Sequence, residues 1–488
     1  MKRIGMTLAV LSIALAGCAI SPDYKRPVTA AAHAYRHAET ADASVDLDGA
    51  WWLGFGDPVL SSLVEEAMRG NYDARIAAAR IEQFRGQVQA TRAGLFPSVG
   101  ASSAASREKR SLFAGTPVEG FDGPNDRFQV QGGVNWEIDL WGRIRRQTEA
   151  AKADVWAAEY ARRGIALSLA ASVAQGYFTL RGLDAQLEIA QRTLDARGHA
   201  LDIFTLRRAY GVISDMELSQ AQDDYFATQA AIPPLRANIV RIENALSVLL
   251  GREPGPIERG RAVSLMTLPP LAADPPINLL NRRPDLLRAE QGAVAANALF
   301  GAAQTLHLPS LSLSGFIGQA AGGTGALWHG ASRIWGISAG LSQPIFQGGA
   351  IRGQVRIAGS QREQALLAYQ GAVLKAIAEV DDALVGAQQS AVRLGSLNSQ
   401  KDALAVYANQ ASARYESGYS SFLEVTNAQE KLFNAQLADV QGRVDLLSAY
   451  VALYKALGGG WASAPRDVRQ AGEMSVMPPE TSAAGKRG

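Results

Sequence analysis

The chain has 488 residues, enough for two or three ordinary domains, and 48 basic against 46 acidic side chains leave it close to neutral. That balance excludes an electrostatic case for nucleic acid or for an acidic partner. Alanine and glycine are abundant while aromatic residues make up only 7%, a composition suited to closely packed helices rather than to a large globular core.

Residues 1–17 read as an export signal. Lys2 and Arg3 form a charged start, and Ile4 to Ala16 is an apolar run too short to span a bilayer as a helix. Leu15-Ala16-Gly17-Cys18 matches the bacterial lipobox, so Cys18 is expected to become the acylated mature N-terminus. It is the only cysteine, which excludes an internal disulfide. One lipid chain anchors weakly, two or more stably. Ala19 stands where an Asp often retains lipoproteins at the inner membrane, which favours the outer membrane. Residues 18–70 then form an N-terminal segment.

From residue 71 the chain is written twice, over 71–251 and 285–458, with a Pro-rich linker at 252–284 between the copies and a small-residue tail at 459–488. Ile144-Arg145 and Gln147 recur as Ile351-Arg352 and Gln354. Gly211, Ser214, Glu217 and Ala221-Gln222 recur as Gly418, Ser421, Glu424 and Ala428-Gln429, all at an offset of 207. Packed helices do not tolerate single insertions, because one residue turns the apolar stripe by about 100°. A gap-free repeat therefore means long packed helices in both copies. Upstream, Phe96-Pro97-Ser98 matches Leu308-Pro309-Ser310 at an offset of 212, so a loop of changed length lies between the two echoes.

Each copy reads as a short helix, two strands, a very long helix and a medium helix. The first places them near 72–94, 97–109, 127–141, 144–208 and 214–250; the second near 285–307, 309–319, 333–346, 351–416 and 421–457. A helix of about 65 residues is about 97 Å long, and medium and short helices laid end to end reach about 90 Å, enough to cover it. Gly211 and Gly418 supply the turn that reverses the chain. Leu218, Ala221, Tyr225, Thr228, Ile232, Leu235, Ile239, Ile242, Leu246 and Leu249 alternate steps of three and four, as do Leu183, Leu187, Ala190, Leu194, Leu201 and Phe204 with Arg197 interrupting. That spacing means coiled-coil packing. Pro233-Pro234 predicts a kink or break in the first medium helix, where the second copy has Val440-Gln441.

The strands alternate with period two. Phe128, Val130, Gly132, Val134, Trp136, Ile138 and Leu140 share one face; Gln129, Gln131, Gly133, Asn135, Glu137 and Asp139 share the other. Leu311 and Leu313 alternate with Ser310, Ser312 and Ser314, and Ile337, Ala339 and Leu341 with Ser338, Gly340 and Ser342. Pattern alone also fits a half-buried soluble sheet. Export, acylation and the polar second face favour a transmembrane barrel with apolar residues outward. Four strands cannot close one, and open edges are not tolerated in lipid, so several protomers share it. Two copies would give eight strands with a filled interior; three would give twelve and room for a pore.

With these residues in place, the mature chain resembles the TolC-like outer-membrane factor family, in its acylated multidrug-efflux branch. The resemblance rests on Cys18 with Pro22-Asp23-Tyr24 and Pro27; Trp51-Trp52, Phe55-Gly56-Asp57-Pro58 and Leu60; Gly94-Leu95-Phe96-Pro97-Ser98; Asp139-Leu140-Trp141-Gly142-Arg143-Ile144-Arg145; Arg283-Pro284-Asp285 with Arg288-Ala289-Glu290; and Pro344-Ile345-Phe346 with Gly348-Gly349. It implies an α+β membrane protein: a homotrimer with a twelve-stranded β-barrel in outer-membrane lipid, continued by an antiparallel coiled-coil helical barrel across the periplasm. It implies an equatorial collar from about 27–70, 252–284 and the tail after Gly458. The implied partners are a periplasmic adaptor and an inner-membrane proton-driven (RND-type) pump. The implied function is a passive exit duct for drugs or other small toxic compounds. An acylated coiled-coil scaffold and an exit duct for type I secretion are the alternatives.

The hairpin turns at 207–217 and 414–427 are the expected periplasmic tip. The resemblance implies a gate there, with Tyr415 matching a tyrosine that bonds a carboxylate on the neighbouring hairpin, Glu217. Glu424 matches the first of two acidic positions and Asn427 stands at the second, where an Asp is frequent, so fewer negative charges line the constriction. Three symmetric copies of one Glu would form a ring that binds cations. Gly211 and Gly418 read as helix C-caps whose exposed backbone would meet the adaptor.

Enzyme chemistry finds no footing. His33 and His37 have metal-compatible i,i+4 spacing but no third ligand, so a solvated pair is the preferred reading. No H-E-x-x-H motif, P-loop or nucleophile elbow is present. Gly322-Gly323 and Gly325 read as a loop between strands, and Arg207-Arg208 is too short a basic run for nucleic acid. No cofactor is expected.

Overall fold

A computed structural model describes residues 23–27, 35–36, 50–109, 124–270 and 276–459. Cys18, the export signal, His33, His37 and the tail from 460 lie outside the described residues. In chain order the elements are α1 (Pro58–Gly70), α2 (Tyr72–Ala93), β1 (Ser98–Glu108), β2 (Asn125–Ile138), α3 (Arg143–Ala209), α4 (Asp215–Leu250), α5 (Pro276–Arg282), α6 (Pro284–Gln304), β3 (Ser310–Ala321), β4 (Arg333–Ser342), α7 (Ala350–Glu416) and α8 (Phe422–Ala456). The helix–strand–strand–helix–helix order of both repeats is present, and α1 and α5 are additions to it. The long helices α3 and α7 have 67 residues each. Among the described residues no helix is long and apolar enough to cross a membrane.

The chain divides into two compact units, each drawing on both repeats. The first takes its described residues from 23–27, Glu66–Ser168 and Arg283–Glu379. Its sheet is antiparallel throughout, in the order β1-β2-β3-β4. Directly paired residues share a face. Val134 pairs with Val99 and with Gly315, Trp136 with Leu313, Ile138 with Leu311, Leu311 with Leu341 and Gly315 with Ile337. The separate apolar alternations of the strands therefore merge into one face. Val99, Trp335, Ile337 and Leu341 are all exposed on it. Asn135, Ser314 and Ser338 line up across the other face, with Phe316 and Ile334 as apolar exceptions. Phe316 lies over Gly336, where a Cβ would meet its ring at 2.6 Å.

Two strand ends fall short of the sequence reading. β2 stops at Ile138, so Leu140 is not part of its face. Asp139 leaves the ladder to cap α3, its carboxylate accepting from the N–H groups of Ile144 (3.1 Å) and Arg145 (2.9 Å). β4 stops at Ser342, ahead of Pro344, which has no N–H to donate to a ladder. Beside the sheet, Arg283 is buried and shared between Asp285 (2.7 Å) and Glu379 (2.6 Å). Residues 23–27 are fastened by a bidentate Arg26–Glu290 pair (2.6 and 2.5 Å) and by Asp23–Arg146 (3.0 Å).

The second unit takes its described residues from 35–36, 50–65, Leu169–Arg282 and 380–459. Here the heptad reading holds: Ala221, Thr228, Ile232, Ile239 and Leu246 are buried along α4, and Ala190 and Phe204 along α3. Small residues let backbones approach. A Cβ at Gly182 would fall 2.5 Å from Val444, and one at Gly442 would fall 2.7 Å from Leu397. Of the kink or break predicted at Pro233-Pro234, the break does not occur, since α4 is helical from Asp215 to Leu250. Thr228 and Ile232 on one side and Ile239 on the other are buried in one seam, and that packing outweighs the lost N–H donors. Arg197 does not interrupt its seam either. It is buried at a core position, donates to the Asp224 carbonyl (2.8 Å) and the Thr228 hydroxyl (2.6 Å), and lies over the Phe433 ring at 5.8 Å.

Candidate functional site

The two hairpin turns lie in this second unit and are built alike. Gly211 has φ 70° and Gly418 φ 78°, the left-handed conformation that glycine adopts without steric cost. Val212 N–H bonds Arg207 O at 2.9 Å and Gly211 N–H bonds Arg208 O at 2.9 Å. In the second turn, Tyr419 N–H bonds Arg414 O at 2.8 Å and Gly418 N–H bonds Tyr415 O at 2.9 Å. Both are Schellman closures, which satisfy the last carbonyls of α3 and α7. Outside each turn stand exposed apolar side chains: Tyr210, Val212 and Met216 in the first, Tyr419 and Leu423 in the second.

The helices that follow start differently. Ser214 and Glu217 form a full capping box: Glu217 N–H bonds the Ser214 hydroxyl oxygen at 3.2 Å, and the Glu217 carboxylate accepts from Ser214 N–H at 2.9 Å. Ser421 makes no side-chain cap bond, so Glu424 has no such tie. Across the first turn Arg208 forks onto Asp215 (2.6 and 3.0 Å), and the pair holds the Asp215 carboxyl below the usual range. At the same offset the second turn carries Tyr415 and Phe422, ring centroids 5.5 Å apart. An ion pair in one repeat is thus replaced by an aromatic pair in the other. Phe204 completes the cluster, 4.3 Å from Phe422 and stacked on Tyr415 at 6.3 Å. With Ala221, Val425 and Ala428 these rings join the two hairpin ends in one apolar core.

Of the residues singled out in the sequence, Glu217 and Tyr415 come together. Burial raises the Tyr415 phenol, the Glu217 charge raises it further, and Arg207 opposes both. Within the single chain one Glu217 oxygen accepts from both the Ser214 N–H and the Ser214 hydroxyl, not from the phenol. Glu424 is half-buried and Asn427 exposed, one turn apart at the start of α8. Among the described residues no group of three or more His, Cys, Asp or Glu could hold a metal ion.

Sequence reading missed a junction away from the tips. Asp57 is 1% exposed. One of its oxygens caps α1 through Val59 N–H (2.8 Å); the other accepts from the Tyr177 hydroxyl (2.9 Å) and from Arg261 N–H (2.9 Å). Gly260 N–H donates to the same Tyr177 oxygen at 2.8 Å. A Cβ at Gly260 would fall 2.2 Å from the carboxylate, so that position has room only for glycine. The Phe55-Gly56-Asp57-Pro58 run was a signal for this site, but its partners lie 120 and 204 residues away.

Comparison with known proteins gives the same frame. A model of the outer membrane efflux protein family matches residues 63–252 and 276–459. The antibiotic efflux pump outer membrane protein ArpC of Pseudomonas putida is 31% identical over 469 residues, covering 94% of this chain and 96% of the relative. The toluene efflux pump outer membrane protein TtgC of the same species matches at 31% over the same shares. The solved outer-membrane channel OprN superposes with a TM-score of 0.84 at 32% identity, over 91% of this chain and all of that one (100%). The matched segments take in both repeats, the sheet and both hairpin tips, and on that extent the chain belongs to the outer membrane efflux protein family.

Proposed function

We propose that three copies of this chain form the outer-membrane exit duct of a tripartite efflux system, passive in itself and driven by an inner-membrane RND-type pump through a periplasmic adaptor. The observation that carries the reading is the four-stranded sheet. Most of its apolar residues align on one exposed face, and its two edge strands, β1 and β4, have no further strand partner among the described residues. An apolar face suits lipid, and lipid does not accept open edges. Three such sheets closed edge to edge give a twelve-stranded barrel wide enough for a pore. The cargo named for the relatives supports small toxic organic compounds as solutes. Acylation at Cys18 would anchor the chain. Residues 27–70, 252–284 and the tail after Gly458 would form a collar, and the two repeats the barrel and tunnel walls.

In this reading the tips are the gate: Glu217 and Glu424 line it, Asn427 lowers its charge, Tyr415 holds it shut, and the backbone at Gly211 and Gly418 docks the adaptor. Planar-bilayer recording of the purified protein tests both parts. Discrete conductance steps are expected from the wild type, with larger steps from Tyr415→Phe and Glu217→Ala. The second change also removes the carboxylate half of the capping box, leaving the Ser214 hydroxyl cap in place. Equal conductance in all three proteins removes the gate role, and absence of steps in all three removes the duct.

A further inference from the structure

The helices join the sheet at one end, before β1 and β3 and after β2 and β4, and the two hairpin connections, 109–124 and 322–332, lie at the other. At the hairpin end the apolar face carries a cation. Arg333 stands on the same face of β4 as Trp335, Ile337, Ala339 and Leu341. It pairs with Gln319, which pairs in turn with Val130. Arg333 is exposed and has no hydrogen-bond or ion-pair partner among the described residues. Asp126 is the one acidic residue on this face of the four strands. It lies two strands away, four residues beyond Val130, and Arg107 holds it at 3.5 Å. The β3–β4 connection contains no Asp or Glu. A second copy closing on β4 supplies none either, since the same face of its β1 would carry Val99, Ala101, Ser103, Ala105 and Arg107. An arginine keeps its proton, so the charge stays. Height decides what it meets. From Arg333 to Leu341 the strand rises about 26 Å, or about 20 Å at the usual tilt of about 40°. The apolar band of an outer-membrane barrel is about 25 Å tall, so Arg333 stands at its rim, where an arginine costs little. Trp335, 71% exposed and one step inward on the same face, and Trp328, 72% exposed in the connection, supply amphipathic rings of the kind that settle at headgroup level.

We propose that Arg333 and Trp335 form a site for the phosphorylated headgroup of an outer-leaflet lipid, the guanidinium fork taking the phosphate oxygens and the indole lying against the headgroup and upper acyl chain. The inference rests on the duct reading, which turns the apolar face to lipid and the hairpin end outward. The test uses purified full-length protein in detergent and two probes, lipid A carrying its phosphates and the same lipid with its phosphates removed. Native mass spectrometry follows bound lipid across a titration. The wild type is expected to prefer the phosphorylated form. Arg333→Gln is expected to weaken that form about tenfold, the scale of one charge-assisted hydrogen bond, and to leave the other unchanged. Trp335→Ala is expected to weaken both. Arg127→Gln removes the same charge from the same end of the sheet but from its opposite, polar face, and is expected to change neither. Equal affinity of the wild type for the two lipids overturns the proposal. So does a loss in Arg127→Gln as large as that in Arg333→Gln, which would make the attraction one of net charge. Displacement of the lipid by millimolar inorganic phosphate overturns it too, because the ligand would then be a free anion. Melting curves verify that the variants fold. Bilayer conductance on the same preparations separates the failures: a conducting protein indifferent to the lipid phosphates refutes this site alone, and a non-conducting one refutes the duct.

Discussion

Asp57 and the buried tyrosines show how single side chains tie distant stretches together. Tyr454 is stacked on Trp51 with centroids 6.0 Å apart, and its hydroxyl donates to Pro270 O at 2.9 Å. Burial, with Tyr450 adding to it, pushes this phenol up to about 12. Burial pushes the Tyr177 phenol up as well. A group whose folded pKa is raised favours folding while protonated. Its contribution is complete below the unfolded value of about 10 and is lost as pH rises through the folded value. Thermal midpoints are thus expected to hold from neutral pH to about 9 and to fall between about 10 and 12. Tyr454→Phe, which keeps the stacking and removes the proton, is expected to flatten part of that fall. A variant whose midpoint follows the wild-type curve at every pH would show that Tyr454 is not the titrating group. At this scale the sequence was legible where a side chain acts on its own helix, as Ser214 and Glu217 do. It was opaque where Arg208 and Asp215 had become Tyr415 and Phe422, because only the packed hairpins reveal that one pair is ionic and the other aromatic.

Among the elements, the helices were the most readable. Ten positions read as one stripe on α4 are buried or half-buried, because a 3.5-residue repeat is a local property that packing exploits directly. The strand faces were readable for the same reason. Three element readings changed: packing of the seam carries α4 unbroken through Pro233-Pro234, a tertiary cause, whereas β2 gives up its end to the Asp139 cap of α3 and β4 stops ahead of Pro344, both local causes. The rigidity of the stripe gives a prediction. One alanine inserted between Leu187 and Glu188 rotates the following seam by about 100°, exposing several apolar side chains at about 1.5–3 kcal/mol each. Together these losses are comparable to the margin of about 5–15 kcal/mol that holds a typical fold. Four residues inserted after Gly325, in the β3–β4 connection where a Cβ would meet nothing within 4 Å, are expected to be neutral. Circular-dichroism melts and folded yield distinguish the two, and comparable stability of both insertions would mean that the seam does not hold the helices in register.

For the molecule as a whole, the proposed barrel makes assembly a requirement of membrane insertion, because the sheet's two edges have no further strand partner among the described residues. Light scattering in detergent, corrected for bound detergent, is expected to report particles of three chains, and a stable single chain would contradict the shared barrel. The sequence by itself determined the repeat, the order of its elements, the apolar faces of β2, β3 and β4 and the seams along α3 and α4. All of these are periodicities written within a few turns or a few residues of chain. Only the tertiary structure decided the register that merges the strands into one apolar face, the Asp57–Tyr177 junction and the aromatic core between the hairpin ends. Each of those depends on which distant segments touch, and no local period encodes a contact between residues a hundred positions apart.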